Sequence, residues 1–328
     1  MFKNGNYLAR QGTAPTRFWL RALLASALLV SGPVARGQGF TLGDFETYGI
    51  LINNGAANAD INTFPVNANI GIGNLAAGKK VNLHNGVVNG KVDASGDAAT
   101  VVTGGAITGT QPVALGGAPS PASVNSFVAG VQSAITAALG LSSFYGAEAG
   151  PGTDIVIHNT TQTIFANSGF LDATGTRVFS ATSFSIGNGH TLTISGSATD
   201  YVVIDITGNS GNKLDGAVTL IGGIASDHVL FNFIGVGGSV QGAANGATLE
   251  GTFLIPNQKV QLNSLTISGH LFGGQYGQDF QFVSNARINQ PMITTPVPEP
   301  ETYAMLLAGL GLLGFAARRR RPQEAERG

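Results

Sequence analysis

Four aspartates, Asp200, Asp205, Asp215 and Asp227, form the densest acidic series in this sequence. Carboxylates brought onto one face, with a cation such as Lys213 or Arg177 beside them, are what polysaccharide lyases and hydrolases use for charge and proton work. The same residues suit solvated turns, and no companion motif marks them as catalytic. Five histidines, His84, His158, His190, His228 and His270, lie far apart, with no His-x-His and no His-Glu-x-x-His. Metal ligation needs two or three at close spacing, or a fold that collects them. Most stand beside Asn or Gly, in "LHNG", "IHNT", "NGHT" and "SGHL", which predicts turns or strand edges. For Ca²⁺, "DATGTR" from Asp172 and "DITGNSGNKLD" from Asp205 depart from EF-hand spacing and from a glycine-aspartate nonapeptide.

Hydroxyls offer another chemistry. Evenly spaced threonines on a flat face match a water lattice, and Thr191, Thr193, Thr219 and Thr266 lie in strand-like runs such as "HTLTIS". Strand propensity alone also enriches Thr. Gly104-Gly105, Gly116-Gly117 and Gly237-Gly238 lack the lysine and helix of a phosphate loop and read as turns. With no Cys in the chain, thiolate metal sites, a Cys nucleophile and disulfides are removed together. The expectation is a non-enzymatic protein with no cofactor and no metal.

The elements that hold these residues read as β-structure. The 328 residues include 48 Gly, without the every-third-residue period of collagen, among many Asn, Thr, Val and Ile. Alternating pairs such as Ile70/Ile72, Val81/Leu83, Ile155/Ile157, Leu192/Ile194 and Val218/Leu220 each send one apolar face inward. Every run is too short to stand alone. "TFLIPNQ" from Thr252 and "HLFGGQ" from His270 begin 18 residues apart, and a period of about 18 to 25 residues fits one coil of a parallel β-solenoid. A β-sandwich with long insertions gives similar local patterns.

One segment departs from this. "SPASVNSFVAGVQSAITAALGLSSFYG" carries Val124, Phe127, Val128, Val131, Ile135 and Leu139 at helical offsets, which predicts one long helix over about 122–140. Ser123 is the expected N-cap, Gly140 the expected stop, and the solenoid flank the expected docking surface.

Charge is partitioned. Five of the 17 basic residues precede Gln38 and five follow Ala317, so residues 38–297 hold seven Lys/Arg against 14 Asp/Glu, a balance of −7. That body lacks the basic stripe a nucleic-acid partner requires.

Both ends read as addresses. Arg10, Arg17 and Arg21 precede the apolar run "ALLASALLV" at 22–30, and Ser31-Gly32-Pro33 breaks it before Ala35-Arg36-Gly37. This is the layout of a secretory signal peptide over residues 1–37. At the other end, residues 303–317 are an apolar run of 15, short for a spanning helix unless its flanks extend it. Arg318, Arg319, Arg320 and Arg321 follow, and the positive-inside rule keeps them cytoplasmic with the body on the far side.

Pro298-Glu299-Pro300, the apolar run with Gly309 and Gly311, and the arginine cluster together resemble a PEP-CTERM sorting signal. The resemblance implies an exosortase-type membrane protease as partner and processing near the Pro-Glu-Pro within a 291–302 linker. It also implies a transient stay in the inner membrane of a Gram-negative bacterium, and a final place at the surface or in the exopolysaccharide matrix. Within residues 38–290, "GFTLGDFETYGILINN", the central helix and "GATLEGTFLIPNQKVQLNSLTISGHLFGG" resemble the choice-of-anchor A domain. The order of strand, helix and strand resembles the bacterial ice-binding β-solenoids. Neither resemblance brings catalytic residues. It implies a structural, adhesive or glycan-associated surface protein, with ice binding and then polysaccharide degradation as alternatives.

Overall fold

Each short apolar run becomes a strand because its backbone partner lies one coil away. The computed structural model describes residues 39–290, apart from 54–57, 63–64, 85–86, 97–100, 104–105, 108–123, 126–127, 149–151, 244–245 and 275–279. The signal-peptide region, Ser123, Phe127, Gly104-Gly105, Gly116-Gly117, Pro298-Glu299-Pro300, the 303–317 run and the four arginines lie outside these residues.

Strands stack in parallel on three faces. The first runs in the order Thr153–Asp154, Arg177–Ala181, Val202–Ile206, Val229–Phe233, the second halves of Thr248–Ile255 and Thr266–Gly273, Ile50–Ile52, Ile70–Ile72, Val92–Ala94 and Val124–Asn125. The second runs Ile157–His158, Phe184–Ile186, Asn212–Leu214, Ser239–Gly242, Lys259–Asn263, Phe280–Val283, Ala59–Asn62, Val81–His84 and Val101–Thr103. The third runs Gln162–Phe165, Thr191–Ser195, Ala217–Ile221, the first halves of Thr248–Ile255 and Thr266–Gly273, Arg287–Asn289, Val66–Asn67, Val87–Val88 and Ala106–Ile107. Among the described residues one pairing is antiparallel, Phe170–Leu171 on Arg177–Ala181. This is a parallel β-solenoid, and a sandwich of antiparallel sheets is excluded. Its coils run from 18 residues, Phe253 to Leu271, to 32 residues, Val92 to Val124, so the expected period of about 18 to 25 holds for the shorter coils and is exceeded by the longer ones, whose extra residues lie in the connections between strands.

The coils are not stacked in chain order. The chain enters mid-stack at Ile50, climbs to Val124–Asn125, and restarts at the opposite end with Thr153–Asp154. Helix α1, Ala129–Glu148, makes that return trip. At 1.5 Å per residue its 20 residues reach about 30 Å, most of the ~43 Å spanned by ten stacked strands. It begins later than expected, since Val124 and Asn125 are already a strand of the first face. It also continues past Gly140, whose position faces open space. The last two turns are held because Ser142 and Tyr145 bond to the sheet below, so the glycine's helix penalty is overruled by docking.

Inside the coils, apolar side chains from all three faces form one continuous core. Phe231 stacks on Phe253 at 4.9 Å with an 11° interplanar angle, and Phe184 meets Phe231 edge-on at 5.3 Å. A second core lies between α1 and the outer side of the first face. Val131, Ala134, Ile135, Ala138 and Tyr145 pack there on Val178, Val203, Leu230, Leu254, Phe272 and Leu51. Strands in the middle of the first face, such as Val202–Ile206 and Val229–Phe233, are therefore buried on both sides.

Two eight-residue strands serve two faces each, and both bend at a glycine. Gly251 (φ +135°) pairs with Gly269 (φ +149°), and a Cβ on Gly269 would sit 2.0 Å from the Gly251 carbonyl oxygen. Only glycine fits a left-handed bend stacked directly on another.

Candidate functional site

With the first face covered by α1, the second and third faces carry the residues free to meet a ligand. Because the stacking is in register, outward side chains form rows along the solenoid axis, one per coil and about 4.8 Å apart. On the second face the register aligns His158, Ser185, Lys213, Gln241, Gln261, Gln281, Asp60 and Asn82. The Gln241 amide donates to Gln261 Oε1 at 3.2 Å, and the Asn82 amide to Asp60 Oδ1 at 2.7 Å. A shallow groove of about 340 Å³ runs beside Lys213, Gln241, Gln261 and Gln281.

The third face carries two kinds of row. Thr163, Thr193 and Thr219 stand at matching positions on consecutive coils. The next coil places Glu250 after Leu249, the partner of Val218, and Glu250 folds back to accept from the Leu220 N–H at 2.6 Å. Further along come Ser268, Asn289 and Asn67. The Asn67 amide donates to Asn289 Oδ1, and the Asn89 amide to Asn67 Oδ1, both at 2.8 Å. Thr248, Thr266 and Arg287 align beside them.

The sequence-predicted residues distribute differently from one another. Thr193 and Thr219 do stack; Thr191 pairs with Ala217, and Thr266 stands in a separate row. The four aspartates do not converge. Asp200 accepts from the Ser197 backbone and hydroxyl in a turn, Asp215 accepts from the Ala243 N–H at a corner, and Asp227 is exposed in a 3₁₀ turn, Ser226–His228. Asp205 is no turn residue. It is fully buried beneath α1, where Oδ1 accepts from the Asn232 amide at 2.7 Å and Oδ2 has no partner. Asn232 in turn accepts from the Ser142 hydroxyl of α1. Burial pushes the Asp205 carboxyl up to about 7, against the lowering effect of Asn232. Arg177 does not reach this group; its guanidinium donates to the Gly169 carbonyl.

Asp93 occupies the same outward row farther along the first face, and it is better compensated. Tyr48 and Asn125 donate to its two oxygens, and Lys91 lies 3.6 Å away. Burial and the Asp93 charge hold the Tyr48 phenol above its ordinary range.

Among the histidines, His190 lies in a turn, whereas His84 and His158 lie on strands of the second face and His228 ends a 3₁₀ turn. His270 corrects the turn expectation: it is 2 % exposed in a strand, with Nδ1 at 2.8 Å from the Tyr48 carbonyl. Burial lowers its pKa and keeps the ring neutral. Among the described residues, no three His, Asp or Glu side chains gather as a metal site would require. Asp172 accepts from the Thr174 and Thr176 N–H groups, so its loop is closed by its own backbone. Gly237 and Gly238, with φ of 78° and 72°, form a turn.

The amide rows are what sequence reasoning missed. Their signal is present, since Gln241, Gln261 and Gln281 recur every 20 residues and Asn67 and Asn89 are 22 apart.

Among the described residues, no helix is long and apolar enough to cross a membrane. Residues 296–321 match the PEP-CTERM protein-sorting motif, which marks an exported surface protein. No curated protein matches the chain. Similar solved structures include an ice-binding protein from an Arctic yeast, at 16% identity and TM-score 0.45 over 80% of this chain and 98% of that one. Another, from the Antarctic ascomycete Antarctomyces psychrotrophicus, shows 17% identity and TM-score 0.43 over 75% and 98%. A domain of a Shewanella frigidimarina ice-binding protein shows 15% identity and TM-score 0.42 over 77% and 99%. Residues 25–283 match the family described as "Putative Ice-binding-like adhesive domain", and the chain belongs to that family.

Proposed function

We propose that this is a non-enzymatic adhesive module that holds polyhydroxylated chains, the glycans of an exopolysaccharide layer, against its second and third faces. The observation that carries this is the pair of amide rows, Gln241–Gln261–Gln281 and Asn289–Asn67–Asn89. A primary amide both donates and accepts, as a sugar hydroxyl does. Repetition at one coil per step offers many weak contacts along one ligand, which is how a shallow surface gains avidity. The choice-of-anchor A resemblance belongs to the same reading.

Delivery follows from the termini. The 1–37 segment directs export, the 303–317 run pauses the chain in the inner membrane of a Gram-negative cell, and Arg318, Arg319, Arg320 and Arg321 hold the tip inside. An exosortase-type protease then processes the chain near Pro298-Glu299-Pro300. Fractionation with mass spectrometry of the mature ends tests this part; an intact chain starting at Met1 in the cytosol overturns it. Co-sedimentation of the protein with purified cell-surface polysaccharide tests adhesion, and absence of any binding overturns it.

A second reading, ice binding, is favoured by the Thr163–Thr193–Thr219 row. It predicts reshaped ice crystals in a hysteresis assay.

A further inference from the structure

At the corner between the second and third faces lies a cleft of about 420 Å³, lined by Gly246, Ser264, Leu265, Thr266, Asn285 and Arg287. Arg287 is exposed and makes no ion pair among the described residues, although the body around it is acidic. Its strand is fixed by register, with Arg287 opposite Thr266 and Asn289 opposite Ser268. The cleft wall is set by left-handed backbone at Ser264 (φ 53°), Ser284 (φ 55°) and Asn285 (φ 66°), three of the four such non-glycine residues among those described. The Ser264 hydroxyl donates to the Ser284 carbonyl at 2.6 Å, tying the turns of successive coils together. Non-glycine residues held in this region mark places where the fold sustains a particular shape.

We infer that this cleft binds the carboxylate of an acidic polysaccharide, a uronate chain, with Arg287 as its anchor. The inference rests on the adhesive reading and names its ligand class. A guanidinium matches a carboxylate with two parallel N–H donors. Thr266 and Asn285 supply hydroxyl and amide groups in the same cleft. Two residues along the strand, on the same outward side, Asn289 begins the Asn289–Asn67–Asn89 row. A chain seated on Arg287 and running along the solenoid axis meets one amide per coil, at a step close to the length of a sugar residue. A single cation placed by strand register on a body of net negative charge selects a ligand by local geometry, because bulk attraction to polyanions is lacking.

The test is binding of the full chain, kept soluble in mild detergent, to polygalacturonate, its methyl ester and neutral dextran. The expected result is preference for the free acid, lost by about tenfold in Arg287→Gln and only partly restored in Arg287→Lys, which keeps charge without the fork. Thr266→Val provides a second, weaker loss with the cation intact. Equal binding of acid and ester, unchanged in Arg287→Gln, overturns the carboxylate cleft while leaving adhesion standing. Binding to none of the three polymers, nor to purified cell-surface polysaccharide, overturns both.

Discussion

Ile50 pairs in parallel register with Leu271, so the first strand among the described residues lies against a strand 221 residues further along the chain. The coils that follow Ile50 continue one way from that seam, and those that precede Leu271 extend the other way. No covalent link crosses the seam locally. It is held by the same backbone ladder as every other coil contact, by the His270 ring on the Tyr48 carbonyl, and by Gln290, which bonds to the Glu46 carbonyl and the Asn69 N–H. Folding therefore has to bring together two segments 221 residues apart, and α1 is the connection that makes the topology possible.

The bend at Gly269 is the most exacting point near this seam. Gly269→Ala places a methyl 2.0 Å from the Gly251 carbonyl oxygen in a backbone region that L-residues avoid. The expected loss is at least ~2 kcal/mol, read as a lower midpoint in urea unfolding. An unchanged midpoint would mean that the two strands do not bend in register.

Phe231 and Phe253 stack inside adjacent coils. Phe231→Ala should cost about 3–5 kcal/mol, since both the transfer energy and a cavity against Phe184 are lost. Calorimetry of the purified protein gives the value directly; a cost under 1 kcal/mol would mean the core collapses around the gap.

What was legible before the structure was the single coil. Leu192/Ile194 and Val81/Leu83 point inward as their alternation requires. The order of coils was not legible, because every interface between coils is built alike: apolar side chains inside and backbone pairing at the edge. Nothing local to Ile50 says whether its neighbour is Ile70 or Leu271, and it has both. Asp205 was misread for a related reason. In "VVIDI" every residue is buried, which alternation does not anticipate, because the outer side is covered by a helix distant in sequence. The Thr163–Thr193–Thr219 row was half visible, as Thr163 lies in a run that shows its partner only once the register is known.

Asp205 gives the protein a pH dependence whose sign is set by burial. Its folded-state pKa, about 7, lies above the ordinary carboxyl value of 3.8, so the folded protein holds a proton that the unfolded chain releases. The stability this confers is full below about pH 4 and is lost as pH rises through 7. Asp205→Asn keeps the shape and the bond from Asn232 without the charge. It should raise stability at pH 8 by up to about 4 kcal/mol relative to its effect at pH 4, flattening the decline between about pH 4 and 7. His270, kept neutral by burial, pulls the other way as pH falls, so the difference between wild type and variant isolates Asp205. A difference that stays constant from pH 4 to 8 would show that Asp205 is ionised throughout.

Tyr145 ties the end of α1 to the loop that opens the Arg177–Ala181 strand, with its hydroxyl 3.0 Å from Thr176 Oγ1. Tyr145→Phe keeps the ring packed against Phe40 and Phe144 while leaving the buried Thr176 hydroxyl a partner short. The expected cost is about 1 kcal/mol, seen as faster hydrogen exchange confined to the last turns of α1. Faster exchange throughout the solenoid would place Tyr145 in the cooperative core instead.

Gln261 and Thr193 separate adhesion from ice recognition because they stand on different faces of the same stack. The threonine row is three coils long before Glu250 interrupts it, whereas Gln261 sits mid-row between Gln241 and Gln281. A lattice match needs breadth and regularity, so charges at neighbouring coils hold hydration water in the wrong places. Hydroxyl-by-hydroxyl capture of a glycan needs neither, only amides at a repeating step. Gln261→Leu is therefore expected to weaken polysaccharide binding about three- to tenfold, and Thr193→Val to leave it unchanged. Loss of ice shaping in Thr193→Val, together with intact polysaccharide binding in Gln261→Leu, would reverse the order of the two readings.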